Sequence, residues 1–435
     1  MSKKPPLLDD VIFSVSDNPT TRFLGFTPYY LERDVYNIAS IIFNIESAIR
    51  LGHYVQDVVI PVSYQSYNRW RVSEIERLLS ELLELVLYRH IRIKLKQADT
   101  NKGRRYGKEV FTHCDQICLF SGGVDSTTGL LKSWEKYKGN VIGLFVCHGD
   151  QGKMTNIVDS IVTTITIHHP IEVRKIHAPR MYSVGYSQLR GFLYVTFASI
   201  FARLHGSKRI LVTECGPTMY QTRFSPYDSI TMTTHPMVMS KAKNIIALLL
   251  KEEFEILIPF ENLTKADVAA INPFPELFRV AHSCIGSRWI ESGHTGRTAN
   301  DGTCYGCVVR MLGLITAGID DVDYEHNPIV NQYSNADNLL NVLAFSTEVI
   351  LDYDGIDLFS REIIDEYRKK DLFVRFALDN IAALHILIGK GLSLNPLIMN
   401  HYFDVKNSIG TGALEKRIAD VRRIACKPDF KRSVK

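Results

Sequence analysis

At 435 residues, with 46% hydrophobic and 23% charged side chains, the chain has ordinary globular composition and length for two or three domains. A net charge of +4 is too small to argue nucleic-acid binding by itself, and no run approaches the about 18 apolar residues of a membrane span. The opening MSKKPPLLDD lacks an apolar signal core, and the eight cysteines lack the even spacing of a secreted disulfide framework, so a cytoplasmic location is expected.

The first section, residues 1–110, precedes a change in rhythm. Val35, Ile38, Ile41, Ile42, Ile45 and Ile49 predict a helix over Leu31–Leu51. Asp57–Tyr64 reads as a short or edge strand, because Pro61 removes a ladder donor. Val72–Lys96 reads as one long amphipathic helix, opened by Ser73 with Glu76 three residues on, the spacing of a capping box. The polar stretch Gln97–Lys108 reads as a linker or exposed hairpin. No catalytic set stands out, so a packing or partner-binding section is expected.

From Gln116 strands and helices alternate, which predicts a mainly parallel sheet with helices on both faces. The predicted strands are Gln116–Phe120, Asn140–Cys147, Ile171–His177, Arg209–Glu214 and Glu255–Phe260. The helices are Thr127–Lys138, Lys153–His168, Ser187–His205 and Ser240–Lys251. Gln116 to Ser126 reads QICLFSGGVDS, an apolar strand running into a loop of Ser121, Gly122, Gly123, Val124, Asp125 and Ser126. Glycines after a strand let the backbone approach a ligand, and the following helix offers free N–H groups. Ser121 and Ser126 add hydroxyls, and Asp125 adds a carboxylate suited to Mg²⁺ or to a cap. The loop is built for phosphate, yet it is neither the Walker A pattern nor G-x-G-x-x-G.

SGGVDS in this setting resembles the pyrophosphate loop of the N-type ATP pyrophosphatases, the PP-loop superfamily. The resemblance implies ATP with Mg²⁺ at Ser121–Ser126. It places Lys265, at a predicted helix start, where a charge faces departing pyrophosphate, although Thr264 and Asp267 also make an ordinary capping box. Gln188 and Arg190 are similar in placement to a polar segment that opens the corresponding helix near the nucleotide in 7-cyano-7-deazaguanine synthases, where an arginine could neutralise phosphate; an exposed first-turn arginine is the other reading. Other polar groups fall at strand ends: Cys147–Asp150, His177 and Glu214-Cys215-Gly216. Thr231–Pro236 (TMTTHP) adds His235, which reads more readily as a hydrogen-bonded structural residue than as a ligand.

A second pattern is Cys284 followed by Cys304-x₂-Cys307, soft thiolates at a spacing that suits tetrahedral Zn²⁺. With Arg310, Ala317, Gly318 and Asp321 after it, this segment resembles the zinc-binding tail of 7-cyano-7-deazaguanine synthase. One position departs: Asp301 stands where that family has a cysteine, so the fourth donor is Asp301 or His294, or else the site is lost. Helices are predicted over Asn335–Leu351, Leu358–Lys370, Asp371–Lys390 and Ser393–Asp404, and the basic run from Lys416 reads as a solvated helix and tail.

The resemblance spans residues 115–325, between an N-terminal α+β section (1–110) and a helical extension (326–435) around a PP-loop unit at 111–325. Its catalytic residues are then Ser121, Asp125 and Lys265. It implies ATP-dependent adenylation of a carboxylate on a 7-deazaguanine, release of pyrophosphate, and transfer to a nitrogen nucleophile. The enlarged layout is similar to members found in anti-phage defence systems, and from that layout an amine of a partner protein encoded in the same operon is expected as one acceptor. Two alternatives stay open: a tRNA-modifying PP-loop enzyme, and a silent zinc-tied scaffold. A homodimer is open, and neither a membrane nor a nucleic-acid partner is expected.

Overall fold

The computed structural model describes residues 30–98, 111–147, 151–178, 188–220, 232–284, 300–321, 324, 326–329, 336–353 and 369–425. Helix α1 (Tyr30–Arg50) buries the expected stripe from Val35 to Ile45, with Ile49 half-buried at its end. Strand β1 (Asp57–Ser63) pairs in parallel with β2 (Arg92–Ala98), and α2 (Tyr64–Arg69) and α3 (Val72–Leu87) form the crossover. Each strand of a two-stranded sheet keeps one open edge, which accommodates Pro61.

The expected helix to Lys96 is corrected. It ends at Tyr88, whose φ of 54° is left-handed, and RIKLKQA is a strand with Ile93 and Leu95 buried and Arg92, Lys94 and Lys96 outward. Its period of two followed directly on a leucine-rich helix, and the helical pattern was extended across it. The capping box at Ser73 is absent as well: Arg71 is the N-cap and makes no side-chain cap bond. Glu76 instead accepts the Leu95 N–H at 2.7 Å, and Ser80 accepts that of Ile93 at 3.0 Å. The linker prediction at Gln97–Lys108 lies, from residue 99, outside the described residues.

The main sheet comprises β3 (Gln116–Leu119), β4 (Val141–Cys147), β5 (Glu172–His177), β6 (Arg209–Leu211) and β7 (Glu255–Leu257). All pairs are parallel, in the order β5-β4-β3-β6-β7. Its helices are α4 (Val124–Lys136), α5 (Gln151–His168), α6 (Arg190–Leu204), the short α7 (Gly216–Met219) and α8 (Pro236–Leu250). Ile142, Leu144 and Val146 of β4 enter a core shared with α1, α6 and α8. Val141, Phe145 and Cys147 enter another, with Leu130 and Leu131 of α4 and Val158 and Ile161 of α5. Both faces are therefore covered, as a parallel sheet requires. The first section is continuous with one of these cores.

After β7 come α9 (Lys265–Ala270), a 3₁₀ turn (Pro275–Arg279), α10 (Tyr305–Ala317), α11 (Asp337–Leu351), α12 (Lys370–Gly389), α13 (Pro396–Ile409) and α14 (Thr411–Ala425). Of the helix predicted at Leu358–Lys370, residues 358–368 lie outside the described residues. Helix α12, with mean hydropathy 1.6, is the one helix among the described residues long and apolar enough to cross a membrane. Leu372, Phe373, Phe376, Ile381 and Leu384 on it are buried against α10 and α11, so packing accounts for its apolar face. Arg417 departs from the solvated reading: it is buried and bonds Asp267 and Asp379, both at 2.7 Å.

The chain leaves β3 toward β4 and β5 on one side and reaches β6 and β7 on the other. The crevice beyond the C-terminal ends of β3 and β6 is thus the topological switch point, where open parallel sheets hold ligands.

Candidate functional site

The Ser121–Ser126 loop leaves β3 at that crevice. Gly122 has φ +79°, which favours glycine, and a Cβ there would lie 2.7 Å from Ile161 Cδ1, so the tip of that side chain would have to shift. Gly123 is the N-cap of α4 and supplies no side-chain cap, leaving the first N–H groups of the helix for a ligand. Ser126 Oγ accepts the Ser121 N–H at 3.2 Å, lies 3.1 Å from Ser121 Oγ and donates to the Gly123 carbonyl at 3.2 Å. These bonds clip the loop, with Ser126 buried inside and Ser121 exposed.

Asp125 is buried, 8% exposed. Its Oδ2 accepts from Lys265 Nζ at 2.6 Å and from the Cys215 N–H at 3.3 Å, whereas Oδ1 is buried without a partner among the described residues. Lys265 is the first residue of α9, and its backbone is fixed by the capping box of Thr264 and Asp267 (3.1 and 3.2 Å). Burial opposes the lysine charge, but the carboxylates of Asp125 and Glu214 outweigh it and hold the ammonium above the usual lysine range. Gly313 of α10 allows this approach, since a Cβ there would fall 2.8 Å from Lys265 Cγ.

Glu214, named in sequence only as a polar group at a strand end, belongs to the same charge cluster. Burial raises its pKa, Asp125 adds to the rise, and Lys265 and Arg190 oppose it. Arg190 opens α6, whose start is pinned where Glu46 Oε2 accepts the Gln188 N–H at 2.6 Å. Its charge reaches Glu214 in this crevice. His235 is buried and caps α8 through Nδ1, which accepts the Met237 N–H at 3.3 Å; burial lowers its pKa to about 4. His148, Gly149, Asp150 and Thr231 lie outside the described residues.

Cys284, Asp301, Cys304 and Cys307 come together with one ligand atom from each within 4.8 Å of all the others, and none of the three sulfurs is in a disulfide. Cys304 is the N-cap of α10 and Cys307 lies in its first turn. Asp301 Oδ1 accepts the N–H groups of Thr303 (2.7 Å) and Cys304 (3.1 Å), which orients the carboxylate. Gly302, at φ +89°, makes the turn against the His326 carbonyl, 1.7 Å from where a Cβ would sit. Hydrogen bonding to Cys304 and burial push the Cys284 thiol up to about 12, and crowding by both neighbours pushes Cys307 higher still. Three sulfurs and one carboxylate at this spacing suit a metal ion. His294 lies outside the described residues.

The two clusters touch. The His282 N–H donates to the Gly122 carbonyl at 2.7 Å, two residues before Cys284. Arg310, fully buried, donates to the Ala281 carbonyl and, at 2.5 Å, to that of Phe278, and pairs with Asp321 at 2.6 Å. Compared with models of protein families the sequence matches none, and comparison with curated proteins likewise gives no match.

Proposed function

We propose that this chain is an ATP-dependent, AMP-forming C–N ligase with a PP-loop, resembling 7-cyano-7-deazaguanine synthase. It adenylates the carboxylate of a 7-deazaguanine, releases pyrophosphate and passes the acyl group to a nitrogen nucleophile. The observation that supports this reading most is the meeting, at one switch point, of the SGGVDS loop, the Asp125–Lys265 pair and the cysteine segment.

In-line attack on an α-phosphorus needs the substrate held in place and positive charge on the departing pyrophosphate. The loop N–H groups and the exposed Ser121 hydroxyl bind the phosphates, Ser126 clips the loop around them, Lys265 faces the leaving group, and Arg190 adds charge from α6. The unpartnered Oδ1 of Asp125 fits Mg²⁺. Bound there, Mg²⁺ supplies charge neutralisation for the triphosphate. Cys284, Asp301, Cys304 and Cys307 fit Zn²⁺ with Asp301 as fourth donor, a structural role for which three thiolates are suited. The nucleophile is ammonia or, given the added sections at both ends, an amine of a partner protein in a cytoplasmic anti-phage system.

The test is mass spectrometry of the products formed with ATP, 7-carboxy-7-deazaguanine and either ammonia or the protein encoded next to this one. An amide, a nitrile or a deazaguanine adduct on that protein supports the reading. Turnover that requires tRNA instead, or no release of AMP with any acceptor, contradicts it.

A further inference from the structure

The metal cluster and the phosphate loop share a four-residue segment, Ala281–Cys284. Its two ends have different partners. His282 is bonded by its N–H to the carbonyl of Gly122 at 2.7 Å, while Cys284 belongs to the cysteine cluster. Between them, the Ser283 N–H donates to Asn300 Oδ1 at 3.4 Å, and Asn300 is the neighbour of Asp301, another member of that cluster. Ser283 is therefore held from both sides by residues adjoining metal donors.

Its hydroxyl is placed at the mouth of the loop. A methyl group on Gly123, the N-cap of α4, would lie 3.5 Å from Ser121 Oγ, 3.6 Å from the His282 carbonyl and 3.7 Å from Ser283 Oγ. The two serine hydroxyls thus flank the same spot, beside the free N–H groups at the start of α4. Ser283 is half-buried, and its hydroxyl makes no hydrogen bond to the described residues. Next to it, both ring nitrogens of His282 (6% exposed) are buried without a partner among the described residues. Buried polar atoms are normally satisfied, so this segment carries unspent hydrogen-bonding capacity, with the Ser283 hydroxyl the part of it beside the loop.

We propose that Ser283 is a phosphate-binding residue of the nucleotide site, supplied from outside the loop and held there by the metal bound at Cys284, Asp301, Cys304 and Cys307. This rests on the PP-loop reading above. Metal and nucleotide then bind cooperatively without sharing a ligand. By linkage, whatever factor the metal adds to nucleotide affinity the nucleotide adds to metal affinity.

The test is calorimetric titration of the full-length, zinc-loaded protein with α,β-methylene-ATP and Mg²⁺, comparing wild type with Ser283→Ala and Ser283→Thr. A hydrogen bond to a charged group predicts about tenfold weaker nucleotide binding in Ser283→Ala. Zinc content stays at the wild-type level, and Ser283→Thr, which keeps the hydroxyl, recovers most of the affinity. A second measurement needs no metal-free protein: the nucleotide slows transfer of zinc to a competing chelator in wild type and does so less in Ser283→Ala. Equal nucleotide affinity in wild type and Ser283→Ala overturns the proposal while leaving the functional reading intact. No nucleotide binding by zinc-loaded wild type overturns both.

Discussion

Lys265 Nζ lies 2.6 Å from Asp125 Oδ2, joining the first turns of α4 and α9 across 140 residues of chain. Both side chains are largely buried, so neither can lose its partner cheaply. Removing one member of such a pair costs about 3–5 kcal/mol. Lys265→Met is therefore expected to lower the melting temperature, and the double variant with Asp125→Asn to recover much of that loss. Pyrophosphate release falls by at least about 100-fold in both, as for a lost preorganised charge. Recovery of activity along with stability in the double variant would show the pair to be structural only.

Gly122 tests the loop geometry. At φ +79° an alanine costs about 1–2 kcal/mol in backbone strain, and its methyl also meets Ile161. Gly122→Ala is expected to weaken nucleotide binding about tenfold in calorimetry. Adding Ile161→Ala relieves the overlap but not the strain, so binding stays impaired. Wild-type affinity in the double variant would mean that the loop tolerates ordinary backbone.

For the cysteine cluster, elemental analysis of purified protein should give one zinc per chain. Asp301→Ala removes a donor and the carboxylate that accepts from Thr303 and Cys304, so zinc affinity drops at least about tenfold. Asp301→Cys retains the metal. Unaltered zinc retention in Asp301→Ala during chelator competition would remove Asp301 from the ligand set.

Arg417 clasps α14 onto α9 and α12 through Asp267 and Asp379. Burial pushes Asp379 up to about 6 even with Arg417 opposing the shift. Arg417→Met leaves two buried carboxylates without this partner, a loss of about 3–5 kcal/mol at pH 7 in urea unfolding. A raised folded pKa means that the folded state binds more protons than the unfolded one. Without Arg417 the folded pKa of Asp379 rises further, so the penalty shrinks as pH falls from above toward about 6 and levels off below it. A penalty independent of pH would contradict the burial of charge at this clasp.

His235 gives a pH dependence of opposite sign. Its folded pKa is about 4 against 6.5 when exposed, so the unfolded state takes up the proton first. Stability from this group is complete above about 6.5 and is lost as pH falls through about 4. His235→Asn keeps a cap acceptor and should flatten the unfolding free energy over that interval. An unchanged slope would assign the acid sensitivity elsewhere.

The elements whose pattern is local were legible in the sequence. The main strands, the SGGVDS turn and most helices rest on periodicity and turn residues within a dozen positions, and they form where predicted, although β6 and β7 end three residues early and α4 starts at Val124, inside the stretch expected as loop. RIKLKQA was misread because its alternation abuts a leucine-rich helix. Long-range partners were not legible. Arg417 looked like part of a solvated basic run because nothing near it shows Asp267, 150 residues away. The same holds for Glu214, for the Gly122–His282 contact and for the place of Ser283, since only the sheet order β5-β4-β3-β6-β7 brings those stretches to one crevice. The cysteine cluster is the exception: its three cysteines and Asp301, one of two fourth donors named from the sequence, do come together, closed by the tight turn at Gly302.

The most direct test of the central claim is substrate-dependent release of pyrophosphate from ATP by the zinc-loaded protein. The account predicts release that requires 7-carboxy-7-deazaguanine, is accompanied by AMP once a nitrogen nucleophile is added, and disappears in Lys265→Met. Release that ignores the deazaguanine and depends on tRNA, or no release at all from protein that binds the nucleotide, would contradict it.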